Sequence, residues 1–188
     1  MNSAKTVVFV DGLNLYGTAK SLGFDIDFKK LLAELGSLGN VVRVKYYTCL
    51  DEEDDDSPVV PLLDWLAYNG YCVVKKSVRS FTDAEGRYRV KGNIDVELAV
   101  DAMEIALYID HVVLISGNGD LSALASAIQR QGKRLTVISS IVSNPPACAD
   151  SLRRLADEFI DLAKLKSKIG RESSHRSDRN PVSVGGYR

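Results

Sequence analysis

Short runs of apolar residues alternate with helical patterns along most of the chain. The runs at 6–10, 112–115 and 135–138 are typical of strands buried on both faces, and 41–50 and 71–76 predict two more strands. Apolar residues at helical spacing predict helices at about 14–21, 27–38, 58–69, 93–109, 119–131 and 148–166. The end of the last helix, around 158–162, is open to a second interpretation as a short strand.

This alternation of strands and helices predicts βαβ units and a mainly parallel sheet. Right-handed connections would cover both faces of the sheet with helices. We therefore expect an α/β fold, a three-layer α/β/α sandwich with a mainly parallel central sheet, in a single domain over residues 1–166. Residues 167–188 are rich in Ser, Arg and Gly and predict a disordered basic tail.

Composition supports a single soluble domain. The 188 residues are 45% hydrophobic and 26% charged, with a formal net charge of −1, so no overall positive charge indicates nucleic-acid binding. The three cysteines are far apart and only two histidines are present, which disfavours a zinc site. We expect a reduced, cytoplasmic setting, no signal peptide and no membrane segment, since no apolar run approaches the roughly 20 residues of a membrane span.

Two charged segments interrupt the pattern. Residues 51–56 are six consecutive acids, which predict a solvated loop more readily than a metal site. Residues 75–91 predict a hairpin with its turn at 83–86. This ribbon carries six basic residues, two acidic ones and the aromatic Phe81 and Tyr88, a combination that suits a single nucleic-acid strand but also an ordinary solvated hairpin.

Three aspartates lie where a doubly wound sheet binds ligands. Asp11 follows the first strand, Asp120 follows the strand at 112–115, and Asp95 lies in the first turn of the helix predicted at 93–109. Each has an ordinary explanation, because Asp-Gly is a common turn and an acid in the first turn of a helix is favourable by ~0.3–1 kcal/mol. Asn93 and Asn118 are suitable helix caps. Asp101 is not on the same helix face as Asp95 and is either a supporting group or solvated.

Together, the three aspartates are harder to explain without a ligand. Carboxylates about 4 Å apart repel by about 4 kcal/mol at an effective dielectric of about 20. Mg²⁺ or Mn²⁺ prefers oxygen ligands and keeps waters for a substrate phosphate, so a divalent cation is the natural partner. Such a site activates water for attack on a phosphodiester and needs no nucleophilic Ser, Cys or His.

These residues resemble the NYN family, in particular its LabA-like branch within the PIN-like nucleases. The resemblance rests on the segments 8–16, 91–103, 112–124 and 132–138. It implies a PIN-like α/β/α sandwich and a Mg²⁺- or Mn²⁺-dependent ribonuclease site, and the basic ribbon favours single-stranded RNA as the substrate. The implied catalytic and metal-binding residues are Asp11, Asp95 and Asp120, with Asn118 as a further metal ligand. Asn118 stands where the family commonly has Asp, so the site carries one negative charge fewer.

Four further residues are predicted to bind substrate, namely Asn14, Arg89, Lys91 and Ser116. Lys91 belongs to the family-like segment and Arg89 to the basic ribbon that leads into it. Asn14 is expected to fix the side chain of Asp11 or to contact a phosphate, and Gly12 to allow a sharp turn. The resemblance alone suggests a homodimer.

One other function stays open, and two are disfavoured by missing motifs. A non-catalytic RNA-binding or regulatory protein of the LabA-like type would explain Asn118. A phosphatase of the haloacid-dehalogenase kind needs a second Asp two residues after the first, where this chain has Leu13. A dinucleotide-binding domain needs G-x-G-x-x-G after the first strand, where this chain has Asp-Gly-Leu-Asn.

Overall fold

The computed structural model describes residues 4–51, 59–82, 88–91 and 93–171, with the backbone alone for residues 51, 79–82 and 88–91. The acidic run after residue 51, the turn predicted at 83–86 and the tail from residue 172 lie outside the described residues.

Seven strands form one twisted sheet. They are β1 (Lys5–Asp11), β2 (Asn40–Asp51), β3 (Tyr71–Thr82), β4 (Tyr88–Lys91), β5 (His111–Ile115), β6 (Arg134–Ser139) and β7 (Glu158–Asp161), in the spatial order β4-β3-β2-β1-β5-β6-β7. Six strands pair in parallel, and β4 pairs antiparallel with β3 at the edge. The prediction of a mainly parallel sheet is confirmed, and the β3–β4 pair is the hairpin expected at 75–91.

Helices connect the strands. They are α1 (Gly12–Ser21), α2 (Phe28–Gly36), α3 (Val60–Tyr68), α4 (Asp95–Ala106), α5 (Ser122–Arg130), α6 (Asp150–Leu155) and α7 (Leu162–Ile169). A 3₁₀ turn, Gly119–Leu121, precedes α5. One face of the sheet packs on α1, α2, α3 and α7, and the other on α4, α5 and α6. The three-layer sandwich is therefore confirmed.

The single helix predicted at 148–166 is wrong. The chain forms α6, turns to extended backbone at Ala156, adds β7 to the sheet and then starts α7. Strand β7 pairs with β6, with Ile160 opposite Ile138, and the Asp161 carboxylate accepts the N–H of Ala163 at 2.9 Å to start α7. Sheet pairing thus overrides the helical spacing of the apolar residues, as the second interpretation of 158–162 predicts.

Helix α7 continues beyond residue 166, the expected end of the domain. Ile169 is fully buried, and residue 170 forms an isolated bridge with Ile26. The α/β fold therefore includes residues 167–170, which the sequence assigns to the tail. Among the residues that the structure describes, no helix combines the length and apolar character needed to cross a bilayer.

The strand order reverses between β1 and β5, which are neighbours although far apart in sequence. In open parallel sheets, ligands bind beyond the carboxyl ends of the strands at such a switch point. Asp11 ends β1 and Ser116 directly follows β5, so both lie at this position.

Candidate functional site

Asp11 is a buried carboxylate that also starts a helix. Its Oδ1 accepts the backbone N–H of Asn14 at 3.1 Å and so caps α1, while its Oδ2 accepts the hydroxyl of Ser116 at 2.9 Å. The residue is only 6% exposed, and burial raises the pKa of its carboxyl above the usual value, although these two hydrogen bonds oppose the rise. The Asp11 side chain therefore has two roles, as the N-cap of α1 and as a carboxylate of the predicted site.

Ser116 and Asn14 hold the turn after β5 in place. The side-chain oxygen of Asn14 accepts the N–H of Gly117 at 2.9 Å, and the Ser116 hydroxyl accepts the N–H of Asn118 at 3.1 Å. Ser116 is 1% exposed and its hydroxyl bonds to Asp11, so the structure gives it a positioning role, and its predicted contact with substrate stays a prediction. Asn14 supports Asp11 through its backbone N–H, while its side chain fastens the turn, a role that the sequence does not reveal.

Asp95 opens α4 and faces the same pocket. Its Oδ2 accepts two amide groups, from Asn93 at 2.9 Å and from Asn118 at 3.1 Å. Burial, followed by the negative charge of Asp11, raises the pKa of the Asp95 carboxyl. The expected cap at Asn93 is wrong, because Ile94 occupies the cap position without a side-chain bond and Asn93 bonds to Asp95 instead.

Asn118 occupies the cap position of the 3₁₀ turn. Its Oδ1 accepts the N–H of Asp120 at 3.0 Å, which leaves its amide N–H₂ for Asp95. The expected metal ligand thus uses its oxygen within the turn and presents a donor to the pocket. Asp120 itself is exposed and lies in the adjoining groove between α4 and α5, which Asp95 also lines.

These elements enclose an open pocket of about 320 Å³. Asp11, Asp95, Asn14 and Asn118 line it, and Asp120 does not. Among the described residues, no group of three or more His, Cys, Asp or Glu side chains is arranged to hold a metal ion. The structure therefore brings two of the three predicted aspartates together, with the third beside them.

The pair Asp11 and Asp95 fits a hard divalent cation. Within the part of the chain that the structure describes, neither carboxylate forms an ion pair with lysine or arginine, and the charge of Asp11 raises the pKa of Asp95. Mg²⁺ is commonly held by one or two carboxylates together with waters and substrate phosphates. Two uncompensated carboxylates at the mouth of a pocket match that donor set.

Two other acids of α4, Glu97 and Asp101, are paired with lysines, unlike Asp95. Glu97 pairs with Lys76 of β3 at 2.6 Å. Asp101 binds Lys45 of β2 and accepts the hydroxyl of Tyr47 at 2.7 Å, which makes it a structural link between α4 and the sheet. Among the described residues, Asp95 therefore differs from Glu97 and Asp101 in having no lysine or arginine partner.

Sequence reasoning missed several lining residues. Cys49 of β2 and Ala147 of the loop after β6 line the pocket, and neither carries a recognisable motif. The loop is held by a bond from the N–H of Ala149 to the carbonyl of Gly117 at 2.9 Å. A Cβ at Gly117 would lie 2.0 Å from the carbonyl oxygen of Ala147, so only glycine fits.

Gly12 is required for a reason other than the predicted turn. Its φ is not positive, whereas a Cβ added there would lie 2.5 Å from the Tyr46 ring. The absent side chain thus lets Tyr46 pack beneath the start of α1.

The basic ribbon leads towards the pocket. Residue Lys91 pairs with Arg79, and residue Arg89 pairs with Phe81, in the β3–β4 hairpin. Strand β4 ends two residues before Asn93, which lines the pocket. The side chains of Arg89 and Lys91 lie outside the described part of the structure, so their substrate contacts stay a prediction.

Comparisons with known proteins agree with this architecture. The family model of the NYN domain matches residues 5–163. The chain is 26% identical over 170 residues to the low amplitude and bright protein LabA of Synechococcus elongatus, covering 88% of each chain. The crystal structure of a protein of unknown function from Vibrio parahaemolyticus is similar, with a TM-score of 0.69 and 27% identity over 85% of this chain and 93% of that one.

Proposed function

The chain belongs to the NYN domain family, and from this premise we propose that it is a metal-dependent ribonuclease that hydrolyses phosphodiester bonds in single-stranded RNA. The observation that carries the proposal is the pair Asp11 and Asp95 in one pocket at the switch point, with raised pKa values and no cationic partner among the described residues. NYN domains are PIN-like nuclease domains, which makes hydrolysis the reaction that suits this pair best.

Asp11 and Asp95 would hold Mg²⁺ or Mn²⁺ between them. Bound there, the ion would supply Lewis-acid activation of water and of the scissile phosphate. Ser116 and the N–H of Asn14 keep the Asp11 carboxylate oriented and lower its pKa relative to the buried state without these bonds. Asn93 and Asn118 do the same for Asp95 through their amides.

Asp120 is the third acid of the proposed site. Its exposed carboxylate lies one groove away from the pair, close enough for its charge to contribute to the raised pKa of Asp95. In this role Asp120 orients an attacking water from the solvent side. Replacing Asp120 is therefore expected to reduce the rate of RNA cleavage more than it reduces the metal affinity.

The basic ribbon would deliver the RNA strand. Lys91 and Arg89 lie on β4, immediately before the pocket-lining Asn93, and cations there would hold phosphates. No feature of the pocket indicates base readout, so we expect cleavage with little sequence specificity.

Manganese-stimulated cleavage of a single-stranded RNA tests the proposal. Asp11→Asn is expected to abolish cleavage and to weaken Mn²⁺ binding, measured by calorimetry. Asp64→Asn is the matched control, because Asp64 is exposed on α3, away from the pocket. Full activity of Asp11→Asn in a preparation free of contaminating nuclease would overturn the assignment.

A second candidate is a regulatory RNA-binding protein without efficient catalysis. Asn118 favours it, because its amide donates a hydrogen bond to the Asp95 carboxylate. This bond stabilises part of the negative charge that a cation would otherwise balance. RNA binding combined with absent or only millimolar Mn²⁺ binding in a titration would support this function over the ribonuclease.

A further inference from the structure

A second cavity lies on the opposite face of the sheet from α4. It measures about 310 Å³ and is walled by the four aromatic residues Tyr16, Phe24, Phe28 and Tyr46. Lys20, Asp25 and Arg171 also line it, and Lys20 pairs with Asp25 at 2.5 Å, so the charged part of the wall carries one cation more than its acids. Ligand pockets typically begin at about 300 Å³, so the cavity is large enough for a small planar group.

The aromatic walls combine fixed and accessible rings. Phe28 and Tyr46 meet edge to face, with centroids 5.8 Å apart. Tyr16 is 61% exposed, and the Lys20 ammonium lies 5.5 Å from the centroid of its ring. Exposed rings beside cations are what proteins use to stack bases and hold phosphates of single strands.

The hydroxyl of Tyr46 lacks a hydrogen-bond partner among the described residues, although the side chain is only 5% exposed. Burial raises the pKa of Tyr46 to about 12, and the charge of Asp11 adds to this, so the hydroxyl keeps its proton. Since Tyr46 lines the cavity, its hydroxyl is a donor available to an acceptor atom of a ligand bound there.

Helix α1 separates this cavity from the pocket at Asp11 and also links them. Leu13 lines the pocket and is 58% exposed, while Tyr16 lines the aromatic cavity. Residues three apart are neighbours on a helix surface, so Leu13 and Tyr16 present two adjacent exposed apolar side chains between the pocket and the cavity. The ring of Tyr46 packs directly beneath Gly12, next to Asp11.

We propose that the aromatic cavity binds a nucleobase of the RNA strand whose phosphodiester lies at Asp11 and Asp95. The inference rests on the proposed ribonuclease function and adds a subsite to it. The strand crosses α1 over Leu13 and Tyr16, one base stacks against Tyr16 in the cavity, and Arg171 holds a flanking phosphate. A base carbonyl or ring nitrogen accepts the hydroxyl of Tyr46.

The test measures binding of a ten-nucleotide fluorescein-labelled RNA to the full chain in EDTA, which prevents cleavage. Tyr16→Ala is expected to weaken binding by about 5- to 100-fold, the effect of losing one stacked base. Tyr68→Ala is the matched control, because Tyr68 is 90% exposed on α3 and does not line the cavity. It is expected to bind as the unmodified chain does.

Two further measurements separate stacking from a general effect. RNA carrying 2-aminopurine is expected to lose fluorescence on binding, and Tyr16→Ala should remove that quenching. Tyr46→Phe deletes only the hydroxyl and is expected to weaken RNA binding severalfold without lowering the thermal stability of the free protein. Thermal unfolding of each variant verifies that the fold is intact.

The outcomes distinguish this inference from the proposed function. If Tyr16→Ala binds as tightly as the unmodified chain, or if Tyr68→Ala loses as much affinity, the cavity is not a base subsite, whereas metal-dependent cleavage that Asp11→Asn abolishes would leave the ribonuclease standing. A chain that neither binds nor cleaves RNA would overturn both.

Discussion

The amide of Asn118 donates to Oδ2 of Asp95 at 3.1 Å, so a neutral donor stands against a carboxylate whose pKa is already raised. The N–H of Asp120 fixes this orientation, because it can only donate and therefore takes the Asn118 oxygen. The departure from the commoner aspartate of the family thus has a structural consequence, which is that one carboxylate is stabilised without a cation.

Asn118→Asp is predicted to make the fold depend on metal. The new carboxylate would face Asp95, and like charges about 4 Å apart repel by about 4 kcal/mol at an effective dielectric of about 20. We expect a lower melting temperature in EDTA, restored by Mn²⁺, and a Mn²⁺ affinity at least about tenfold higher than that of the unmodified chain. Thermal unfolding and calorimetry with and without Mn²⁺ measure both effects.

Asn40→Asp is the control for this charge change. Asn40 is exposed at the start of β2, on the sheet edge opposite the pocket. It should leave both the melting temperature in EDTA and the Mn²⁺ affinity unchanged. Equal melting temperatures in EDTA and equal Mn²⁺ affinities for the two variants would show that a charge at residue 118 does not interact with Asp95.

Ser116→Ala is predicted to shift the acid limb of the pH–rate profile to higher pH. The Ser116 hydroxyl is one of three groups that stabilise the charged form of the buried Asp11 carboxylate, with the backbone N–H groups of Leu13 and Asn14, so its loss raises the pKa of Asp11 further. Metal affinity and activity near neutral pH are expected to fall about 10- to 100-fold. The rate of RNA cleavage measured across pH shows the shift.

Ser37→Ala provides the comparison, since its hydroxyl bonds only to the carbonyl of Glu34 on the surface. It should leave the profile in place. A Ser116→Ala profile that is lower at every pH but not displaced would mean that the hydroxyl only stabilises the fold.

The position of the site could be predicted from the sequence, but its internal bonding could not. Asp11 and Ser116 follow buried strands, and the carboxyl ends of parallel strands share an edge, so their proximity follows from the pattern alone. The bond from Asn118 to Asp95 depends on the exact approach of α4 to the turn after β5, which no periodicity encodes.

Long-range pairing explains the other differences. The lysines that compensate Glu97 and Asp101 come from β3 and β2, and identifying them requires knowing which strands α4 covers. Likewise, residues 158–161 have helical spacing of apolar residues but gain backbone bonds to β6 as a strand. Only the assembled sheet decides between these two local structures.

Asp95→Asn is predicted to raise the stability of the metal-free protein at pH 7. Burial and the charge of Asp11 raise the pKa of Asp95, so between its usual value of 3.8 and the raised native value the native state binds more protons than the unfolded state. Stability therefore falls as the pH rises through that window. The amides of Asn93 and Asn118 both donate to the same atom, Oδ2 of Asp95. The side-chain oxygen of an asparagine at position 95 can accept both of these bonds.

The expected gain is at most about 1 kcal/mol, or about 2–4 °C, because Asp95 is only partly buried and water screens its charge. This gain in stability should become smaller towards pH 4, because the Asp95 carboxyl is then increasingly protonated in the native state. Asp101→Asn is the opposite control, since hydrogen bonds from Lys45 and Tyr47 outweigh burial and lower the pKa of Asp101. We expect that variant to lose about 1–3 kcal/mol at pH 7. A lower melting temperature for Asp95→Asn in EDTA would contradict the view of Asp95 as an uncompensated charge.

Gly117→Ala is predicted to disrupt the wall of the pocket. The added Cβ would lie 2.0 Å from the carbonyl oxygen of Ala147 and 2.5 Å from the hydroxyl of Ser139, and a backbone atom cannot move away as a flexible side chain can. Overpacking of this kind costs about 1–3 kcal/mol or more. The bond from Ala149 to Gly117 would also be strained, so we expect loss of both stability and metal binding.

Gly17→Ala is the matched substitution in α1. Nothing lies within 4 Å of a Cβ at Gly17, which is exposed within the helix, so alanine should stabilise the protein by about 0.5–1 kcal/mol. Denaturant unfolding of the two variants should therefore give shifts of opposite sign. If Gly117→Ala were as stable as the unmodified chain and still bound Mn²⁺, the loop after β6 would not form the wall of the site, and Asp11 and Asp95 would face a more open surface than the structure shows.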